Sequence, residues 1–282
     1  MLPGELVAAS FGAPTPASYP AETLGVGRCP GCYGSLMRLT VLGCSGGYPI
    51  PGAACSGYLV EGADTRLWVD AGTGTLDSLQ RHLDLVEVDA VWISHLHPDH
   101  WTDLPVALHQ LAVTEAVPDW PLQVFGPPGW AQDTGITQQW FTTKRPTLYR
   151  SVELSDSTSY QVGGLTLTVA AMTHGQPTFG VRIADGTSSV TYSADTSPCE
   201  SLVRLAAEID LLLCEATLPA GEQNDISTDP TDAARIALQA QASRLVLTHI
   251  LPGVSPEASR AAAREIYGPR AELAAPGRVF QL

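Results

Sequence analysis

Positive charge is scarce in this chain: 15 Lys and Arg stand against 29 Asp and Glu in 282 residues, a net charge of −14. A protein that embraces a polyanion such as transfer RNA shows a basic face. The basic cluster here, Lys144-Arg145 with Arg150, suits a solvated loop or a contact to one phosphate and is too thin for such a face. No uninterrupted apolar run approaches the roughly 20 residues of a membrane helix, so no membrane partner is expected. No basic residue precedes Arg28, so the charged start of a secretory signal is missing and a cytoplasmic location is the default expectation. Cys29 and Cys32 have zinc-knuckle spacing, but a structural zinc site wants four ligands and no second cysteine pair follows. Cys44, Cys55, Cys199 and Cys214 read as reduced core thiols. Repeats at solenoid or propeller periods are missing as well.

What remains is a chain able to bury a full core, with 44% hydrophobic and 16% charged residues. Residues 1–36, rich in Gly, Pro and Ala and without periodicity, read as a flexible extension, and residues 37–282 as one domain. Met37 is a candidate start. Strand-like runs are expected at Arg38–Leu42, Gly57–Val60, Leu67–Val69, Ala90–Ile93 and Leu122–Phe125, then mainly strands after Phe141 up to Ser193, and at Leu211–Cys214 and Leu245–Thr248. Helices are expected at Thr75–Leu83, Leu104–Ala116, within Gly129–Phe141, and at Glu200–Ala207, Pro230–Gln241 and Pro256–Ile266. Two β-rich halves, each followed by helices, suit an α/β fold of four layers, an α/β/β/α sandwich.

The most telling segment is His95-Leu-His97-Pro-Asp99-His100, at the end of the apolar run Ala90–Ile93. On a chain leaving a strand, alternate residues share a face. His95 and His97 can therefore grip one ion while the turn after Pro98 swings Asp99 and His100 toward a second. Imidazole and carboxylate are zinc ligands, and manganese or iron would accept the same set. His174, Asp195 and His249 each end a strand-like run, where layered folds gather their chemistry. His82 and His109 fall in helix-like segments and read as surface or packing residues.

The His cluster, preceded by Asp70-Ala-Gly-Thr-Gly74 and followed by His174, Asp195 and His249, resembles the metallo-β-lactamase superfamily, in the branch that contains ribonuclease Z. The segments Met37–Gly47, Tyr192–Thr196, Leu213–Thr217 and Leu247–Ile250 look closest to small actinobacterial cyclic-nucleotide phosphodiesterases of that branch. The resemblance implies the metallo-β-lactamase fold and two divalent metal ions. One would be held by His95, His97 and His174, the other by Asp99, His100 and His249, with Asp195 bridging and a water or hydroxide between. It also implies that Asp99 orients the nucleophile or takes its proton. Asp70 falls outside that ligand set and reads as orienting a ligand, as a cap for the helix after Gly74, or both.

The pattern departs from ribonuclease Z in two places. Its leaving-group His before the last ligand strand has no counterpart in Asn224-Asp-Ile-Ser-Thr-Asp-Pro230, where Asp225, Ser227 and Thr228 stand as substitutes. Transfer-RNA enzymes insert a long arm between the fourth His and the metal Asp, whereas here only 21 positions separate His174 from Asp195, read as a hairpin. Trp101, Trp130, Trp140, Phe141 and Phe179 are candidate pocket walls for a planar ligand, Trp140 more readily a core residue. Cys44 and Cys199 lie near the metal loops. The expected function is a metal-dependent hydrolase, a phosphodiesterase acting on a small cyclic or modified nucleotide. The alternatives are hydrolysis of a lactone, thioester or β-lactam at the same site, or a metal-bearing accessory protein without catalysis. Transfer-RNA processing ranks last, and a homodimer is in keeping with the family.

Overall fold

The structure, a computed structural model, describes residues 36–114, 121–136 and 148–282. The expectations placed on Cys29, Cys32, Trp140, Phe141, Lys144 and Arg145 fall outside these residues.

Alternation along the strands builds the layers. In β1 (Arg38–Gly43), β2 (Gly57–Gly62), β3 (Thr65–Val69) and β4 (Ala90–Trp92), one set of side chains (Leu39, Val41, Tyr58, Val60, Leu67, Val69, Trp92) enters a central core. The other set (Leu42, Leu59, Trp68, Val91) packs against the helices α1 (Thr75–Leu79), α2 (Leu104–Val113) and α3 (Trp130–Asp133). Strands covered on both faces read as continuous apolar runs. With β5 (Leu122–Gly126) and β6 (Tyr149–Glu153) they form the first sheet.

The second half repeats the scheme. Strands β7 (Ser159–Val162), β8 (Leu165–Ala171), β9 (Phe179–Ala184), β10 (Ser189–Tyr192), β11 (Leu211–Glu215) and β12 (Leu245–Thr248) send Leu167, Val181, Val190, Leu213 and Val246 into the same central core. Their outer face carries α4 (Glu200–Leu205), α5 (Pro230–Gln239) and α6 (Pro256–Tyr267). Asp229 and Ser255 cap α5 and α6 by accepting from Asp232 and Ala258 N–H, and both helices have Pro in the first turn. The result is a four-layer α/β/β/α sandwich.

Two short strands were not foreseen: β13 (Ala271–Leu273) and β14 (Val279–Gln281). Three residues each are too few to show a period, and pairing alone makes them strands. β13 extends the second sheet beside β12, and the chain then crosses so that β14 extends the first beside β1. Arg244 and Arg278 lie 5.3 and 4.5 Å from the Phe280 ring and both bind Glu272, pinning this crossing. Helix α1 also stops at Leu79 rather than Leu83, its last turn loosening toward Asp84.

Strand direction places the site. β3 runs parallel to β4, and β10, β11 and β12 run parallel to one another. β8 is antiparallel to β9, which is antiparallel to β10, so β8 shares their sense. The ends that carry Asp70, His95, His174, Asp195 and His249 therefore fall on one edge of the sandwich.

Candidate metal centre

At that edge the chain turns sharply. Asp70, Ala194 and His249 adopt left-handed backbone (φ 55°, 53° and 53°), a conformation costing on the order of 1–3 kcal/mol for a non-glycine residue and concentrated at functional sites. Close approach also demands glycine. A side chain at Gly72 would lie 2.0 Å from the Asp99 carbonyl, and one at Gly46 would lie 2.6 Å from that of His249.

The folded chain brings the seven sequence-selected ligands into two neighbouring groups, His95, His97, His174 and Asp195 in one and Asp99, His100 and His249 in the other. In the first, His97 Nδ1 lies 3.0 Å from His95 Nε2 and 3.2 Å from His174 Nε2. In the second, His249 Nε2 lies 3.2 Å from His100 Nε2 and 3.0 Å from Asp99 Oδ2. Asp195 stands between them, 3.8 Å from His95 Nε2, 3.6 Å from His100 Nε2 and 3.5 Å from His249 Nε2.

The outward ring nitrogens are engaged. His100 Nδ1 lies 2.7 Å from Asp70 Oδ2, His174 Nδ1 lies 2.6 Å from the Ile226 carbonyl, and His249 Nδ1 lies 2.9 Å from Thr217 Oγ1. With those nitrogens protonated, the inward ones present lone pairs to each other in a buried space. Asp195 Oδ1 is buried there without any hydrogen-bond partner. Such a set is costly unless a cation joins it. Imidazole and carboxylate donors of this kind fit divalent metal ions.

Electrostatics agrees. Burial alone would raise the Asp99 and Asp195 carboxyls, but the adjacent His100 and His249 outweigh it and hold both well below the usual carboxylate range. Burial would lower His100 and His249, yet Asp195, aided by Asp70 at His100 and Asp99 at His249, raises both. His95 is pushed well down by burial and then by His100, and His97 by burial and then by His174. The carboxylates thus call for positive charge at the centre, and its five rings cannot all supply it as protons.

Asp70 does not cap α1, whose N-terminus is Gly74 with Leu76 N–H bound by Asp103 instead. Its buried carboxylate accepts from Ser94 N–H (2.8 Å), Ser94 Oγ (2.9 Å) and Tyr192 OH (2.8 Å), and it orients His100. Gly47 N–H donates to Asp99 Oδ2 at 2.8 Å. The supporting residues Ser94, Tyr192, Thr217, Glu215 and Gly47 were not singled out in the sequence. Gly47, Tyr192 and the Leu213–Thr217 segment stood out only as resemblance.

Several pocket candidates are corrected. Phe179 (7% exposed) belongs to the core between the sheets and Trp130 to the core under α3, because both side chains are needed there as filling. Trp101 donates its indole N–H to the Leu96 carbonyl at 3.1 Å and braces the ligand loop. Thr228 is spent on the Thr196 carbonyl, Ser227 is buried with its N–H on Asn224, and Asp225 is exposed. Cys44 packs on the central core and Cys199 on the helix side of the second sheet. His82 and His109 are exposed.

Comparison with known proteins places this geometry. The beta-lactamase superfamily domain model matches residues 65–250. An uncharacterised protein of Mycobacterium tuberculosis is 35% identical over 239 residues, 82% of this chain and 87% of that one. Ribonuclease Z of Mycobacterium bovis is 30% identical over 269 residues, 84% of this chain and 95% of its own. The probable metallo-hydrolase YhfI of Bacillus subtilis is 30% identical over 250 residues, 87% of this chain and all of its own. Its crystal structure matches with a TM-score of 0.78 over 88% of this chain and 100% of that one. The chain belongs to the β-lactamase superfamily, as a metallo-hydrolase of the branch that includes ribonuclease Z-like proteins.

Proposed function

We propose that this metallo-hydrolase is a phosphodiesterase acting on a small cyclic or modified nucleotide, with two divalent cations, zinc or else manganese or iron. The observation that carries the proposal is the pair of ligand groups meeting at Asp195. His95, His97 and His174 would hold one cation, and Asp99, His100 and His249 the other, with Asp195 between. Bound there, such a pair lowers the pKa of water to about neutrality and stabilises charge on the attacking and leaving oxygens.

The chain's own residues do the positioning. Gly47 N–H and His249 fix Asp99 Oδ2, so that this anionic carboxylate can orient a water and accept its proton. His97 and His174 keep part of their rings in solvent, which opens the centre on the side of the first group. The hairpin of β9 and β10 turns at Asp185-Gly186 without an inserted arm, and the net charge is −14. Both favour a small substrate over transfer RNA. The relative named ribonuclease Z favours phosphodiester over carbonyl chemistry. A cytoplasmic location is part of the same proposal.

The test is metal content together with hydrolysis of bis-p-nitrophenyl phosphate and 3′,5′-cyclic AMP, wild type beside Asp99→Ala. About two metals per chain, and ester hydrolysis abolished by the substitution, are expected. Two metals with neither ester cleaved would move the assignment to a lactone, thioester or β-lactam. Absence of metal in protein purified without chelator would overturn the mechanism.

A further inference from the structure

Glu215, the last residue of β11, is a fully buried carboxylate that the proposed reaction does not use. No Lys, Arg or His forms an ion pair with it among the described residues; its surroundings are hydrogen-bond donors. Thr196 N–H donates to Oε1 at 2.5 Å, Thr217 N–H approaches Oε2 at 3.4 Å, and the Thr217 hydroxyl donates to the same oxygen. Burial and then the nearby Asp195 push this carboxyl up to about 8, which His249 and these donors oppose; as the anion it is tolerable only because donors of this kind meet it. The next link is Thr217 Oγ1 to His249 Nδ1, 2.9 Å.

A hydroxyl has one proton to give. With Glu215 ionised that proton goes to it, so Thr217 offers His249 only a lone pair and the contact between them needs a ring proton on Nδ1. Nε2, which faces Asp99 Oδ2 at 3.0 Å and His100 Nε2 at 3.2 Å, is then left bare for a cation. We propose that Glu215, acting through Thr217, is a positioning residue that sets the tautomer of His249 and thereby the cation affinity of the Asp99–His100–His249 group. The inference rests on the metal-dependent function above and deepens it. Asp70 does the same for His100 in one step. Glu215 reaches both groups, since Thr196 directly follows Asp195 and its N–H ends on the same carboxylate.

Glu215→Gln keeps the shape and inverts the polarity. The amide oxygen still accepts from Thr196, but the amide NH2 now donates to Thr217 Oγ1. The hydroxyl proton must turn toward His249, either to Nδ1, driving the ring proton onto Nε2, or to its carbonyl at 3.2 Å.

The experiment compares wild type, Glu215→Gln, Thr217→Val and Thr217→Ser by zinc affinity in chelator competition above about pH 8, where Glu215 is ionised. Gln and Val should weaken one of the two zinc ions by about 10–100-fold and leave the other in place. Ser, which keeps the hydroxyl, should stay within about 3-fold of wild type. Equal affinities in all four proteins would overturn the inference, as would Ser losing as much as Val, which would mean packing and not the hydroxyl. If Gln does not fold, the Val and Ser pair decides. Wild type that binds no zinc would overturn the metal-dependent function itself; wild type with two zincs and unaltered variants overturns this inference alone.

Discussion

In the first ligand group His97 and His174 keep part of their rings in solvent, and His174 leans outward on a main-chain oxygen, the Ile226 carbonyl. In the second, Asp99, His100 and His249 are all buried, and side chains or main chain stand behind each: Gly47 behind Asp99, Asp70 behind His100, Thr217 and Glu215 behind His249. The contrast separates two tasks that the proposed two-cation centre would combine. A group fixed by successive buried partners holds geometry, because every rotamer is determined by a neighbour. A group open to solvent admits substrate and exchanges water. The second group should therefore bind more tightly, and the first should be the one that substrate enters past.

The largest effect is expected at Asp195, which stands between the two groups. Asp195→Ala should release both cations and reduce ester hydrolysis by more than the roughly 10–100-fold that loss of an outer partner costs; metal analysis beside kinetics checks this, and retention of two metals would deny the shared role. Next comes removal of metal from intact protein. Each group takes ligands from both halves of the sandwich, so a cation bound at about 100 times its Kd contributes about 2.7 kcal/mol. Stripping by chelator should lower Tm by on the order of 5–10 °C for each cation lost, read by calorimetry. An unchanged Tm would mean that the halves are held without the centre.

A finer cut is Asp70→Asn. The amide can no longer accept equally from Ser94, Tyr192 and His100, so the affinity of the second group should fall about 10–100-fold while the first keeps its cation. Loss of both cations together would show that the two groups are not supported separately. The smallest effect is expected at Ile226→Ala. His174 leans on the carbonyl of that residue and not on its side chain, so the first group's zinc affinity should change by less than about 3-fold. A larger loss would assign the exposed Ile226 side chain a part in the site.

The seven candidate ligands that the fold brings together could be selected from the sequence because their chemistry is written in residue type: imidazoles and carboxylates ending apolar runs have few bland explanations as a set. The layers were legible for a related reason. Strands such as Leu211–Glu215 and Leu245–Thr248 are apolar on both faces only because helices cover one side and the other sheet the second. Hydrophobic periodicity is a local record of that burial. Phe179 and Trp130 misled, since an aromatic beside a predicted metal loop is the same residue type whether it lines a pocket or fills a core.

Residue types and local periodicity were enough for the fold class, for most of the element order and for the donor chemistry of the candidate centre. Packing of the two sheets chose which groups stand behind those donors. Tyr192 is 122 residues from Asp70, and Thr217 is 32 from His249. Strand order, not sequence spacing, brings these pairs within a hydrogen bond. The same holds for β13 and β14, three-residue strands created by their partners. Local sequence carries propensity and period over a few residues, whereas hydrogen bonds between distant strand ends exist only once both sheets have packed.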